Sequence, residues 1–295
     1  MKVTKSALLV ALAMTVSGVA MASVGGAGIK GTRHDFATRT NFLGSQVTNP
    51  GVANQVGLCS FCHTPHSAQS TALLWNKKMS ANTFAWDDTT TTGGTNFASM
   101  APGYKGATVK CLACHDGSVA VGDVSIYKGK VNPSVNTFKV GQQPVDYSGK
   151  TWQASDARPQ YVVGAGGLMA GTHPVGMAYP LGNVANTYNG TTTGANVALA
   201  EFVANPHTAT ANALGGGTAV TGTSQGGGTT DALIKLYNDV GGVMKAGTNP
   251  GTTGMECSTC HDPHNKQTTE DWLLRARAQG STQADGYICL QCHIK

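Results

Sequence analysis

Apolar residues are sustained in one place along this chain, the stretch from about Ala7 to Val16, behind Lys2 and Lys5. Thr15, Ser17 and Gly18 break it well short of the roughly 20 residues a membrane-spanning helix needs. Ala20 and Ala22 before Ser23 form an Ala-x-Ala cleavage site, so residues 1–22 are expected to be an export signal that is removed. No later stretch is apolar enough to span, and no cysteine follows the cleavage site to suggest a lipid anchor. Downstream, apolar and polar positions alternate only in short runs. KTWQASDARPQYVVGAGG and TDALIKLYNDVGGVMKAG contain short β-type runs bounded by turn residues, the second with a hairpin at NDVGG. TTEDWLLRARAQG, with Thr at its start, acids in its first turn, late arginines and Gly280 at its end, predicts a short helix. ANVALAEFVA predicts another, and the rest of the section from Asp116 to Glu256 reads as loops rich in Gly, Thr, Ala and Asn.

Few regular elements are therefore expected, and composition sharpens the problem. Gly makes up 39 of 295 residues, aromatics 6% and charged residues 12%. Little of the chain can build an ordinary aliphatic core, yet it is not charged enough to be simply disordered. Something else has to supply apolar bulk. A dinucleotide is not indicated, because GAGGLMAG has Met169 where the third Gly of the phosphate-binding pattern belongs.

The cysteines supply the candidate. All eight fall in pairs followed at once by histidine: CSFCH (59–63), CLACH (111–115), CSTCH (257–261) and CLQCH (289–293). An exported chain could use eight cysteines as four disulfides, and CxxC pairs also occur in zinc knuckles. Neither explains a histidine after every pair. With nine His in 295 residues, four such placements by chance are on the order of one in a million, and the spacing is that of c-type haem attachment. Two cysteines three positions apart lie on one side of a helical turn, where both can bond one porphyrin, and the next residue projects over the ring. Cys59, Cys62, Cys111, Cys114, Cys257, Cys260, Cys289 and Cys292 are thus expected to tether four haem c groups, with His63, His115, His261 and His293 as proximal iron ligands. The implied fold class is a multihaem cytochrome c, mostly coil with short helices and a few short strands wrapped around four covalently bound haems. Small cores need staples or cofactors.

Five histidines remain for the sixth iron positions: His34, His66, His173, His207 and His264. Enough are present for bis-histidine ligation throughout, which gives low reduction potentials relative to His/Met sites. His66 in CHTPH and His264 in CHDPH each follow a proximal ligand by three residues. Neither can serve the iron beside it, whose near face is taken, so each should reach a second haem. His34 in GTRHDF and His173 in GTHPVG sit among turn formers that could fix a ring, whereas His207 in ANPHTATA is the weaker candidate. Met79, Met100, Met169, Met177, Met244 and Met255 are better read as flexible packing residues.

The CxxCHxPH design occurs at Cys59–His66 and again at Cys257–His264, each followed by a plain CxxCH, which is an internal repeat. After the export signal, residues 23–295 form one domain, with the first two attachment sites at 59–115, a Gly/Thr-rich middle at 116–256 and the last two at 257–293. The formal charge is +5. Removing Lys2 and Lys5 leaves 18 of the 20 basic residues against 15 acidic ones, and haem propionates would make the holoprotein mildly acidic. No basic stripe suggests nucleic acid.

With CSFCHTPH, CSTCHDPHN, THPVG and LLRARAQGSTQADGYICLQCH in view, the chain resembles the doubled-CxxCH multihaem cytochromes of metal-reducing bacteria, most closely the secreted tetrahaem cytochromes of the OmcE type. The resemblance implies bis-histidine haems in a mostly coil fold and subunits that polymerise into extracellular filaments, conducting electrons to external acceptors or to other multihaem cytochromes. In such filaments a histidine of one subunit ligates a haem of the next, and His66 is the nominated donor, with His34 second. The location implied is extracellular or on the cell surface, the periplasm being the alternative. Two other functions compete: a monomeric periplasmic carrier, and a multihaem reductase. The reductase would need an open haem, often marked by Lys in place of the motif His, and no such departure occurs.

Overall fold

A computed structural model of the chain describes residues 28–30, 32–35, 58–66, 68, 74–86, 97, 99–101, 103–119, 126–127, 130–131, 162–193, 199–204, 206, 234–264, 273–276 and 287–294. Helix α1 is Thr108–His115. The strands are β1 Ile126–Tyr127, β2 Lys130–Val131, β3 Met177–Ala178, β4 Thr187–Tyr188, β5 Thr191–Thr192, β6 Tyr237–Val240, β7 Val243–Ala246 and β8 Thr253–Met255. A single helical turn, α2, spans Cys257–Cys260, and 3-10 turns sit at Ala165–Gly167, Leu181–Asn183, Leu199–Glu201 and Cys289–Gln291. Among the described residues no helix is long and apolar enough to cross a membrane.

Elements this short are marginal in water by themselves, so contacts between distant segments hold them. The largest sheet is antiparallel, in the order β3-β8-β6-β7, with Met177 opposite Met255 and Tyr237 opposite Gly254. The expected NDVGG hairpin is its β6–β7 pair. Val240 faces Val243 across Gly241 and Gly242, whose φ values of 62° and 78° are those of a two-residue turn with both central residues left-handed. Asp239 Oδ1 accepts the Gly242 N–H at 2.8 Å, closing the turn.

Among the described residues, three apolar clusters lie around this sheet and α1. One contains Phe84, Trp86, Met100, Leu112 and Met169. A second gathers Met177, Tyr179, Phe202, Ile234, Leu236, Met255 and Cys292, and the smallest joins Ala178, Tyr188 and Tyr237. Among the described residues, Phe84, Trp86, Tyr179, Phe202, Tyr188 and Tyr237 supply aromatic bulk to these clusters. Met100, Met169, Met177 and Met255 are all buried packing residues.

One helix expectation is corrected, and the described part of a second is a short 3-10 turn. Residues 273–276, the described part of TTEDWLLRARAQG, are not helical: Leu273 has φ 59°, Leu274 bridges His261, and the Arg275 N–H donates to Cys260 O at 2.8 Å. Pairing with the motif overrides local helix propensity. Of ANVALAEFVA, the described residues from Leu199 on form only the 3-10 turn Leu199–Glu201, after which Phe202 bridges His293. The expected export signal, His207 and much of the Gly/Thr-rich middle lie outside the described residues.

Candidate functional site

Each motif forms one tight helical turn. The N–H of His63 donates to Cys59 O at 2.9 Å, that of His261 to Cys257 O at 3.0 Å and that of His293 to Cys289 O at 2.9 Å. The second motif along the chain, Cys111 to His115, closes α1. This turn brings two thiols and an imidazole to one side, as covalent attachment of a planar macrocycle requires. A returning segment pins each histidine. His63 bridges Trp75, His261 bridges Leu274, His293 bridges Phe202, and His115 O accepts the Val163 N–H at 2.9 Å.

Sites 1 to 4 are numbered here by their proximal histidines His63, His115, His261 and His293. Among the described residues, three distal candidates stand opposite a proximal ring. The ring centres of His264 and His63 are 6.0 Å apart, those of His34 and His115 are 6.2 Å apart, and those of His173 and His293 are 6.1 Å apart. Metal–imidazole bonds are about 2 Å long and an imidazole nitrogen lies about 1.1 Å from its ring centre, so two imidazoles on opposite sides of one metal ion have centres about 6 Å apart. The three separations fit an iron between each pair. His264, next in sequence to site 3, faces site 1. His66 is exposed, and its backbone is fixed by Thr64, whose hydroxyl donates to His66 O at 2.9 Å.

The other ring nitrogens fit as well. His173 Nδ1 lies 2.9 Å from Pro174 O, and His34 Nδ1 3.5 Å from Pro263 O. A carbonyl partner at Nδ1 fixes the tautomer that leaves Nε2 for a metal. Burial and then the His115 charge lower the His34 pKa to about 4, so its imidazole is neutral at pH 7. Trp75 packs edge-on against His63 at 5.8 Å. Its indole Nε1 is buried without a hydrogen-bond partner among the described residues, leaving a donor for a group bound there.

The thiols of successive sites are neighbours. Burial, and next the Cys114 thiol of site 2, push the Cys62 thiol of site 1 up to about 12. Cys111 of site 2 lies beside Cys257 of site 3, and that contact raises the Cys111 thiol and lowers the Cys257 thiol. Burial, then Cys260 of site 3, raise the Cys292 thiol of site 4. All eight cysteines are free, and only Cys59 and Cys289, at the first and last sites, are exposed.

The sequence did not single out the residues that return onto the motifs. Thr64 N–H donates to Leu74 O at 2.8 Å and Asn76 N–H to Cys62 O at 2.8 Å; Asp262 N–H donates to Leu273 O at 2.7 Å, with Arg275 in the place of Asn76. Asn76 Nδ2 reaches Ser60 O at 2.5 Å, and Arg275 Nε reaches Ser258 O at 3.0 Å. Both returning leucines have positive φ, 50° at Leu74 and 59° at Leu273. Aligning the two CxxCHxPH halves with a one-residue gap would have revealed the correspondence. Glu256, fully buried at the start of α2, was also missed, since a lone acid before a motif carries no pattern.

A search of curated protein sequences gives no match. Among protein-family models, the doubled CXXCH motif matches residues 249–295, the segment holding sites 3 and 4. That match supports a haem-binding electron-transfer protein of the multihaem c-type cytochrome class, with haem c held covalently at its CxxCH pairs.

Proposed function

We propose that the chain is a secreted tetrahaem electron conduit, the subunit of an extracellular filament, in which all four CxxCH motifs hold haem c. The observation that carries this reading is the set of three histidine pairs at 6.0–6.2 Å, each joining a motif histidine to one from elsewhere in the chain. Haem c supplies reversible one-electron iron chemistry. The protein's part is to tether, ligate and space. The cysteines fix position, His264, His34 and His173 close sites 1, 2 and 4, and the neighbouring thiols set the sites in a row. An iron held between the histidines of these three pairs would have no face open to a substrate, which favours conduction over reduction of a bound molecule.

His66, donated by a neighbouring subunit, and His207 are the two further distal candidates. The exposure of His66 beside Cys59, at one end of the row, favours donation in trans. In the test, secreted holoprotein is examined by size-exclusion chromatography and negative-stain microscopy, alongside His66→Met. Filaments from the wild type, and folded monomers with one altered haem spectrum from the variant, are expected. A wild type that stays monomeric at high concentration would point instead to a periplasmic carrier, and normal filaments from the variant would remove His66 from the interface.

A further inference from the structure

Glu256 is fully buried and sits where α1 of site 2 meets α2 of site 3. Its Oε2 accepts the Thr108 N–H at 2.8 Å, at the start of α1. Its side chain also accepts the Thr259 N–H, while Glu256 N–H donates to Thr259 Oγ1 at 2.9 Å, a capping box on α2. Oε1 takes the Tyr188 hydroxyl at 2.5 Å and the Tyr104 hydroxyl at close range. Four donors converge on one carboxyl group. Four donors directed at two oxygens suit the acceptor-only, ionised form of the group.

The chain is shaped around this group. A Cβ at Gly106 would collide with Glu256 Oε1, and a Cβ at Gly254 would collide with the Tyr188 ring. Burial, then the charge of Glu256, raise the pKa of both tyrosines, so both remain protonated donors. No cation lies within ion-pair distance of Glu256 among the described residues. Lys110 feels its charge at longer range, but burial outweighs that attraction and lowers the Lys110 pKa. The carboxylate is solvated by hydrogen bonds and keeps its field.

That field reaches both attachment points. Glu256 directly precedes Cys257, and its charge acts on Cys257 and on Cys111. A fixed negative charge in a poorly solvated interior favours the more positive, ferric state of a nearby iron. We propose that Glu256 is a potential-setting residue that lowers the reduction potentials of sites 2 and 3 together and leaves sites 1 and 4 largely untouched. Capping alone would predict a stability effect with no site selectivity. The proposal rests on haem c at these motifs.

The test is a redox titration of the holoprotein, resolved by site through NMR of the haem methyl and axial-histidine signals, for wild type, Glu256→Gln, Tyr104→Phe and Tyr188→Phe. Mass spectrometry of each preparation reports haem attachment separately, so a wild type without haem overturns the functional reading on its own terms. With four haems retained, Glu256→Gln is expected to raise the potentials of sites 2 and 3. Each Tyr→Phe change strips a donor from the carboxylate and is expected to lower them. Equal shifts at all four sites, or none, in a fully loaded Glu256→Gln protein overturn the proposal. If that variant does not fold, unchanged potentials at sites 2 and 3 in both tyrosine variants overturn it.

Discussion

His264 stands three residues after one motif histidine and faces another. Its ring centre is 6.0 Å from that of His63, and its N–H is held by Asp262 Oδ1 at 3.1 Å. Asp262 in turn meets Arg275 at 3.6 Å, with both side chains almost fully buried. A local turn thus aims the imidazole away from its own site. Replacing His264 with Met is expected to alter the spectrum and raise the potential of the site carrying Cys59 and Cys62, since His/Met ligation is more oxidising than bis-histidine ligation. NMR assignment of the perturbed site checks this, and a change at the site of Cys257 and Cys260 instead would break the pairing. The sequence led to the expectation that His264 reaches a haem other than the one beside it. Which one was hidden, because residues 63 and 264 meet only through tertiary structure.

At the scale of elements, the repeat runs deeper than its cysteine spacing. In both halves a leucine in the left-handed region turns the chain so that the next residue bridges the motif histidine. The left-handed conformation costs a non-glycine residue about 1–2 kcal/mol, while glycine costs about 0.5–1 kcal/mol in unfolded-chain entropy. Leu74 is 47% exposed and Leu273 is 5% exposed. Leu74→Gly should therefore change stability by less than about 1 kcal/mol, whereas Leu273→Gly should lose about 2–4 kcal/mol with its buried side chain. Denaturant midpoints of the two variants check the contrast. The β6–β7 hairpin was legible because Asn-Asp-Val-Gly-Gly carries its own turn chemistry. The segment at 273–276 was misread because its caps and charges resemble a helix, while the hydrogen bonds that fix it come from Cys260 and Asp262.

At the scale of the whole molecule, the four CxxCH motifs and the scarcity of regular structure among the described residues were readable from spacing and composition. The order of the sites in space was not. Cys62 lies near Cys114, Cys111 near Cys257 and Cys292 near Cys260, and Cys59 and Cys289 of the first and last motifs are exposed. That arrangement suits a conduit only if every motif is loaded. The most direct measurement is the intact mass of the secreted protein under denaturing, non-reducing conditions. The expected mass is that of residues 23–295 plus four haem groups retained through denaturation. A polypeptide carrying fewer than four, or a bare chain whose mass shows disulfides between its cysteines, would contradict the four-site reading.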